Sequence, residues 1–319
     1  MLNPDNRIVT VFGGAGFIGR YVCELLFKQD LRVRVACRDP RKAYFLQPLA
    51  TVGQWGAVRA DITNRRSVEA AVEGASAVIN LVGTFSGSLR ATHVEGARNI
   101  AEAALQAGAS SLVHISAIGS DPASDSVYGR TKGEGELAVR QSFPNATIVR
   151  PSIVFGPEDD LTNRLAALSR LPVLPVVAAE RRFQPVYVKD IAKAIAMAAL
   201  DPATFGGKTF EIGGPQVMTM EDIYATCARA AGREPDLVEM PDFASAFLSL
   251  FGFLPGAPLT RDQWKMLQRD NLPAANSEGL EAFGIAPSAL ASVAPGWLQR
   301  YRQGGRWSSR IAREVAPAS

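Results

Sequence analysis

A glycine-rich loop near the N-terminus constrains the fold of this 319-residue chain more than any other feature. It lies between an apolar stretch, residues 8–12, and an amphipathic stretch, residues 20–28. In such a loop one glycine makes a tight turn, one lets the backbone approach a pyrophosphate, and one lets helix and strand pack closely. We predict a strand–loop–helix unit that binds a dinucleotide at its helix N-terminus. The predicted contacts are Gly13, Gly14, Ala15, Gly16, Phe17, Ile18 and Gly19.

Apolar runs that alternate with helical patterns follow this loop. We predict strands at 8–12, 32–37, 57–59, 77–82, 111–116 and 147–149, and helices at 20–28 and 92–107. Apolar strands joined by helices are typical of a parallel sheet covered on both faces. The predicted fold class is α/β, a doubly wound Rossmann sheet.

The chain changes character near residues 150–156, where prolines become frequent. We predict a cofactor-binding Rossmann domain over 1–155, with a return to its sheet near 183–200. The remainder, 156–319, is predicted to be a smaller C-terminal α/β domain, with a helix at 220–231.

The choice of dinucleotide depends on the end of the second strand. NAD enzymes usually have an acid there that binds the ribose 2′-hydroxyl. Here Arg38 takes that place, and its guanidinium can bind a 2′-phosphate through two hydrogen bonds. Arg20 is predicted to help, whereas Asp39 would take the ribose role if Arg38 points away. NADP(H) is the favoured cofactor and NAD(H) the alternative.

The loops after the third and fourth strands supply further predicted cofactor contacts. Asp61 and Ile62 would lie at the adenine. Leu81, Val82 and Gly83 would line its ribose and phosphate. From the sequence alone, ordinary loop chemistry explains these residues equally well.

A tyrosine and a lysine four residues apart form the second candidate site. Tyr128 and Lys132 share one face of a predicted helix. A nearby ammonium favours tyrosinate and lowers a phenol pKa from about 10, so such a tyrosine can act as a general acid in carbonyl reduction. Ser116, at the end of the fifth strand, would hydrogen-bond the carbonyl oxygen. Gly129, Gly133 and Gly135 on the same helix predict close approach by a ligand or a neighbouring helix.

Other polar residues indicate no metal site and no hydrolase triad. His114 lies within an apolar strand pattern and is predicted to be a core residue, whereas His93 is at the surface or in the pocket. The adjacent Asp159 and Asp160 are predicted to be solvated. The three cysteines have no metal-like spacing and are expected to be reduced in a cytosol-like compartment.

Composition and charge limit the class of protein. A chain with 47% hydrophobic and 20% charged residues is expected to be globular. Its longest uncharged apolar stretch, Phe243 to Leu254, has 12 residues, fewer than the roughly 20 of a membrane-spanning helix. The first seven residues lack an apolar core, so we expect no signal peptide and read the chain as bacterial or as a mature form.

The charge is concentrated in the C-terminal tail. Residues 297–319 contain five arginines and one glutamate, which give +4 in a chain whose net charge is +3. Without a recognisable reading motif, this tail does not predict nucleic-acid binding. It is either a solvated terminus or a contact for an acidic partner or anionic lipid.

Several motifs together resemble the extended and atypical short-chain dehydrogenases/reductases. They are the glycine loop, Tyr128 with Lys132, and the stretches 150–157 (RPSIVFGP) and 185–192 (PVYVKDIA). One branch is more similar, the accessory alpha-subcomplex subunit nine of respiratory complex I with its alphaproteobacterial relatives. The stretches that carry this resemblance are 45–49 (FLQPL), 93–97 (HVEGA), 113–119 (VHISAIG), 183–188 (FQPVYV), 258–263 (PLTRDQ) and 297–302 (WLQRYR).

The resemblance implies a tightly bound NADPH without established turnover. It implies docking on the peripheral arm near the membrane and the quinone site, on the cytoplasmic side of a bacterial inner membrane or the matrix side of a mitochondrial one. Peripheral-arm and membrane-junction subunits would be the partners. From their own residues, Phe243 to Leu254 and the basic tail are the expected docking surface, and the alternative is that the apolar run packs onto the Rossmann domain. Pro151 and Ile153 would join Ser116, Tyr128 and Lys132 as cofactor contacts. Since all three polar residues are present, a free NADPH-dependent reductase or epimerase, acting on a small carbonyl or sugar-like substrate, is the alternative.

Overall fold

A seven-stranded parallel sheet forms the centre of the first of two structural units in the computed structural model, which describes residues 7–241 and 260–304. The strands are β1 Ile8–Phe12, β2 Arg32–Cys37, β3 Trp55–Arg59, β4 Ala77–Asn80, β5 Ser111–Ile115, β6 Thr147–Pro151, β7 Val154–Phe155, β8 Val173–Val177, β9 Arg182–Phe183, β10 Val186–Tyr187, β11 Thr209–Ile212, β12 Met218–Thr219 and β13 Asp236–Met240. The large sheet has the order β11-β6-β5-β4-β1-β2-β3.

Helices cover both faces of this sheet. The α-helices are α1 Phe17–Phe27, α2 Arg65–Val72, α3 Ala97–Gln106, α4 Val127–Ser142, α5 Asp160–Leu168, α6 Val188–Leu200, α7 Pro202–Phe205, α8 Met220–Ala230, α9 Arg261–Leu267, α10 Leu290–Val293 and α11 Pro295–Leu298. A 3₁₀ helix covers Pro40–Leu49, and a π-helical turn covers Ala91–Gly96. α2, α3 and α4 share one apolar core with the strands, while α1 and α6 contact each other.

The predicted doubly wound parallel sheet is confirmed. β1 and β2 have the predicted bounds, and β4, β5 and β6 differ from theirs by one or two residues at their C-terminal ends. The predicted helix over 92–107 is in part wrong, because a wide π turn precedes α3.

Close packing against α4 accounts for two glycines of that helix. A Cβ atom at Gly135 would overlap the carbonyl oxygen of His93 in the π turn. A Cβ at Gly133 would lie 2.5 Å from the backbone nitrogen of Pro122. Gly135 thus meets a neighbouring helical turn, as the sequence predicted, whereas Gly133 meets a loop.

The two units are each discontinuous in sequence. Within the described residues, the first comprises 7–152, 188–213 and 273–286, and the second comprises 153–187, 214–241, 260–272 and 287–304. The sequence did not predict that 273–286 belongs with the first unit. The candidate docking run, Phe243 to Leu254, and residues 305–319 of the basic tail lie outside the described residues.

The second unit contains two-stranded sheets and a small aromatic core. β7 pairs with β10, β9 with β12 and β8 with β13. The rings of Phe155, Tyr187 and Trp297 stack with centroid separations of 5.6–6.4 Å. None of the helices in the described parts of the chain has the length and apolar character needed to span a bilayer.

Asp159 corrects the prediction that both adjacent aspartates are solvated. Its side chain is 5% exposed and caps the N-terminus of α5. It accepts hydrogen bonds from the backbone N–H of Gly156, at 2.9 Å, and from the backbone and hydroxyl of Thr162. Burial raises the pKa of this carboxyl group despite these bonds. The role of Asp159 is local and structural, because an N-cap satisfies helix donors, while Asp160 is exposed as predicted.

Candidate functional site

The glycine loop connects β1 to α1 in a conformation that requires glycine at two positions. Gly13 has φ +78°, in the left-handed region, and a Cβ there would lie 3.2 Å from the carbonyl carbon of Leu81. At Gly19 a Cβ would overlap the carbonyl oxygen of Gly13. The loop therefore folds tightly against the first turn of α1.

The N-terminus of α1 fits an anionic group such as a pyrophosphate. Gly16 is the N-cap, no side chain caps the helix, and its first turn contains no acid. The first-turn N–H groups, those of Phe17, Ile18 and Gly19, have no partner within the helix by its geometry. A Cβ at Gly16 would meet only the carbonyl oxygen of Gly13, at 3.1 Å. Backbone donors and a positive helix end, with no side chain at Gly16, together form a cradle for phosphate.

Arg38 and Asp39, the two candidates for nucleotide discrimination, differ in their contacts. Asp39 forms a two-pronged ion pair with Arg41, with nitrogen–oxygen distances of 2.9 and 3.0 Å, and also accepts the Arg41 backbone N–H. These bonds, with the charge of Arg41, hold the pKa of Asp39 below its usual range. Arg38 is exposed and forms no hydrogen bond or ion pair with the described residues. Arg20 stacks over the ring of Phe45, 4.8 Å from its centroid.

The predicted contacts after β3 and β4 lie in two loops of the same unit. The exposed Asp61 carboxylate accepts hydrogen bonds from Thr63. Ile62 is buried, and its side chain fills the space beside Gly96. Leu81 contacts Gly13 through its backbone, as noted above. Val82 is half-buried and Gly83 is exposed.

Tyr128 has an aromatic environment that the sequence did not predict. Its ring stacks on Phe85 at a centroid distance of 4.5 Å and meets the ring of His93 edge-on at 5.3 Å. Burial raises the pKa of Tyr128 to about 12. The predicted lowering of this pKa by Lys132 is therefore wrong, because desolvation disfavours the phenolate.

Lys132 and Ser116 lie near the C-terminal end of β5. The Lys132 ammonium is 2% exposed and donates a 2.7 Å hydrogen bond to the carbonyl oxygen of Ile115. Burial lowers the pKa of Lys132 to about 8, and the charge of Glu136 partly offsets this effect. The buried Ser116 hydroxyl donates to that of Ser120 at 3.0 Å.

The remaining predicted contacts lie just after the sheet. Pro151, the last residue of β6, is buried, and its carbonyl oxygen accepts the backbone N–H of Ile118. Ile153 is half-buried and belongs to the second unit. The sequence reasoning missed Phe85, since an aromatic residue in a polar loop has no period that marks it.

The fold and the glycine loop define a Rossmann-class dinucleotide-binding protein. The family model described as NAD dependent epimerase/dehydratase matches residues 9–213. The chain belongs to this family.

Curated relatives include complex I subunits and a reductase. The NADH dehydrogenase [ubiquinone] 1 alpha subcomplex subunit 9 of Rattus norvegicus is 32% identical, over 98% of this chain and 84% of that protein. The predicted resemblance to this complex I branch is confirmed. The ceramide reductase of Caulobacter vibrioides is 30% identical, over 94% of this chain and 99% of that protein.

A solved structure with the same fold is the NADPH-dependent quinone oxidoreductase QOR2 of Escherichia coli, complexed with NADPH. It has a TM-score of 0.72 and 20% identity, and the match covers 90% of this chain and 99% of that one. At this identity the likeness shows a shared fold.

Proposed function

We propose that the chain is an NADP(H)-binding accessory subunit of respiratory complex I, with a structural or assembly role. The observation that carries this proposal is the similarity to complex I subunits, which extends over 98% of the chain in the rat relative. The environment of Tyr128 supports a binding role over a catalytic one. A phenol with a pKa near 12 is a poor match for acid–base work near neutral pH.

The proposal includes a location within complex I. The protein docks on the peripheral arm near the membrane and the quinone site, against peripheral-arm and membrane-junction subunits. In a bacterium this is the cytoplasmic side of the inner membrane, and in a mitochondrion the matrix side. The +4 charge of residues 297–319 favours anionic lipid as a further contact, at about 1 kcal/mol per cation near such a surface.

The proposed cofactor is NADP(H) because Arg38 is exposed and forms no hydrogen bond or ion pair with the described residues. Asp39 would have to give up its hydrogen bonds with Arg41 to bind a ribose hydroxyl. The exposed guanidinium at the end of β2 suits a 2′-phosphate. The exposed Arg38 guanidinium therefore supports NADP(H) as the cofactor.

Arg38→Ala is expected to weaken NADPH binding and to leave NADH binding nearly unchanged. A hydrogen bond to a charged group is worth about 1.5–3 kcal/mol, so the NADPH/NADH affinity ratio should narrow by about tenfold or more. Titration calorimetry of both nucleotides measures this ratio. Arg66→Ala, the same change at an exposed cation of α2, is the control. Equal affinity for both nucleotides in the unmodified protein would contradict the assignment of NADP(H) as the cofactor.

A second candidate function is a free NADPH-dependent reductase or epimerase of the same family. Two observations favour it: Ser116, Tyr128 and Lys132 are all present, and the ceramide reductase relative is matched over 99% of its length. In this role the chain acts on a carbonyl or sugar-like substrate. Tyr128 would donate the proton to the carbonyl oxygen and Lys132 would orient a bound nicotinamide cofactor, whose chemistry would be hydride transfer.

Tyr128→Phe separates the two functions because it removes the proton donor and keeps the aromatic ring. In an accessory subunit it should leave assembly of complex I and NADH:quinone activity of membranes within about twofold of the unmodified strain. The measurement is native electrophoresis of membranes together with NADH oxidation. Normal assembly with a large loss of a carbonyl-reducing activity favours the second candidate.

A further inference from the structure

Two backbone N–H groups of the loop after β4, residues 81–88 and termed here the β4 loop, are held by buried side chains. The side-chain Oδ1 atom of Asn80 accepts the N–H of Val82 at 3.1 Å. The Nε2 atom of His93 accepts the N–H of Thr84 at 3.2 Å. Asn80 and His93 are 1% and 2% exposed. Water therefore competes little for these acceptors, and the loop is fixed at alternate residues.

The hydrogen bonds of His93 define its tautomer. A backbone N–H can only donate, so Nε2 of His93 carries no proton. The Nδ1 atom lies 2.9 Å from the Thr131 hydroxyl oxygen, whose own hydrogen is directed to the carbonyl oxygen of Val127, also at 2.9 Å. The hydroxyl oxygen must then accept from an Nδ1–H group. Burial, with the charge of Lys132 acting in the same direction, lowers the pKa of His93 to about 4, which agrees with a neutral ring.

His93 is itself held by α4 through both its backbone and its side chain. Its carbonyl oxygen occupies the space where a Cβ of residue 135 would lie, so only glycine fits there. Glycine inside a helix costs about 1 kcal/mol relative to alanine, and the close approach of the π turn offsets that cost. A π turn places the imidazole between the β4 loop and Thr131 of α4. Such turns are frequent at functional sites.

The same loop brings Phe85 onto Tyr128. Phe85 follows Thr84 directly, so fixing the N–H of Thr84 restricts where the next side chain can point. The Phe85 ring lies nearly parallel to that of Tyr128, at 14°, although Phe85 is itself 58% exposed. The His93 ring meets the Tyr128 ring at 86° from another side. Tyr128 is thus enclosed by two rings.

We propose that His93 is a positioning residue that ties the β4 loop to α4 and thereby holds Phe85 against Tyr128. It contacts no reacting atom in this role and acts through the loop. The relevance to nucleotide binding rests on the proposed function, because Tyr128 is a predicted cofactor contact. The claim about how His93, Phe85 and Tyr128 are arranged does not depend on nucleotide binding.

The tautomer is tested directly on the unmodified full chain by two-bond ¹H–¹⁵N correlation spectra of its two histidines at pH 7. We expect a neutral His93 with its proton on Nδ1. A ring protonated on Nε2, or on both nitrogens, overturns the proposal. A variant of His93 assigns the resonance.

His93→Phe and His93→Gln separate hydrogen bonding from ring packing. Phenylalanine keeps a ring and loses both bonds, whereas glutamine can accept from Thr84 and donate to Thr131. The readout is the ionisation of Tyr128, which is monitored through its ¹³Cζ resonance up to pH 10.5. In the unmodified protein Tyr128 stays almost entirely un-ionised. In His93→Phe the released loop should let the pKa fall toward the unperturbed value of about 10, so that about half or more is ionised at pH 10.5. Glutamine should restore the unmodified behaviour.

Two further variants keep the test decisive. Phe85→Ala removes the stacked ring directly and should ionise Tyr128 like His93→Phe. If His93→Phe does not fold, Thr131→Val should move the pKa of Tyr128 in the same direction, because it removes the acceptor of Nδ1–H along with the hydroxyl's bonds to the carbonyl oxygens of Val127 and Tyr128. Unchanged ionisation of Tyr128 in the folded His93→Phe or Thr131→Val variant overturns the proposal. None of these readouts needs nucleotide or complex I, so the proposed function can fail without affecting them.

Discussion

Gly16→Val is expected to abolish nucleotide binding while the chain still folds. Gly16 has φ −82° and ψ −175°, an extended conformation open to any residue. A valine Cβ there would lie 3.1 Å from the carbonyl oxygen of Gly13, so this oxygen must shift by a few tenths of an ångström. The side chain would cover the α1 N-terminus, where a pyrophosphate would lie. A ligand at 1,000 times its Kd stabilises the native state by about 4 kcal/mol. The variant should lose this stabilisation by NADPH. Thermal unfolding with and without NADPH measures the difference.

Gly56→Val is the matched control for this experiment. Gly56 lies in β3, and a Cβ there would have no neighbour within 4 Å. This variant should keep the full stabilisation by NADPH. If Gly16→Val is stabilised by NADPH as much as the unmodified protein, the nucleotide does not bind at this helix end.

Arg150→Met is expected to lower the free energy of unfolding by about 3 kcal/mol or more, the cost of removing one partner of a buried ion pair. Arg150 binds both oxygens of Glu136, at 2.9 and 2.7 Å, and one oxygen of Glu211 at 3.0 Å. The other oxygen of Glu211 accepts the backbone N–H of Ala274. Without the guanidinium two largely buried carboxylates, 6% and 13% exposed, lose their cation. Chemical denaturation measures the change.

Arg65→Met provides the surface comparison. Arg65 also pairs with two carboxylates, those of Glu69 and Glu102, but its side chain is 51% exposed. Exposed pairs contribute about 0–1 kcal/mol, so this change should have a small effect. Equal losses in the two arginine variants would contradict the burial argument.

The contrast between β1 and β11 illustrates how much of the fold the sequence could predict. β1 is a mainly apolar run beside a glycine loop, so its sequence pattern was sufficient to predict the strand. β11 has four residues, and one of them, Glu211, points to Arg150 rather than into an apolar core. Its pairing with β6 depends on tertiary contacts of Phe210 and Ile212, both fully buried. Thr209–Ile212 does alternate polar and apolar residues, but over only four positions, the shortest pattern that indicates a strand.

The candidate site was predictable where backbone geometry decides the outcome. The glycine loop has the conformation that its spacing predicts, since Gly13 and Gly19 leave no room for a side chain. The pKa of Tyr128 was not predictable, because the spacing to Lys132 says nothing of the burial that raises it. Phe85 and His93, whose rings contact Tyr128, are distant from it in the chain.

The most direct test of the proposed function is purification of the tagged full-length chain from membranes of its own host under mild detergent. Subunits of complex I should co-purify in constant proportion, and heat denaturation should release NADP(H) in about one equivalent. A chain that is recovered without complex I subunits, and that oxidises NADPH with a carbonyl substrate, would contradict the accessory role and support the reductase.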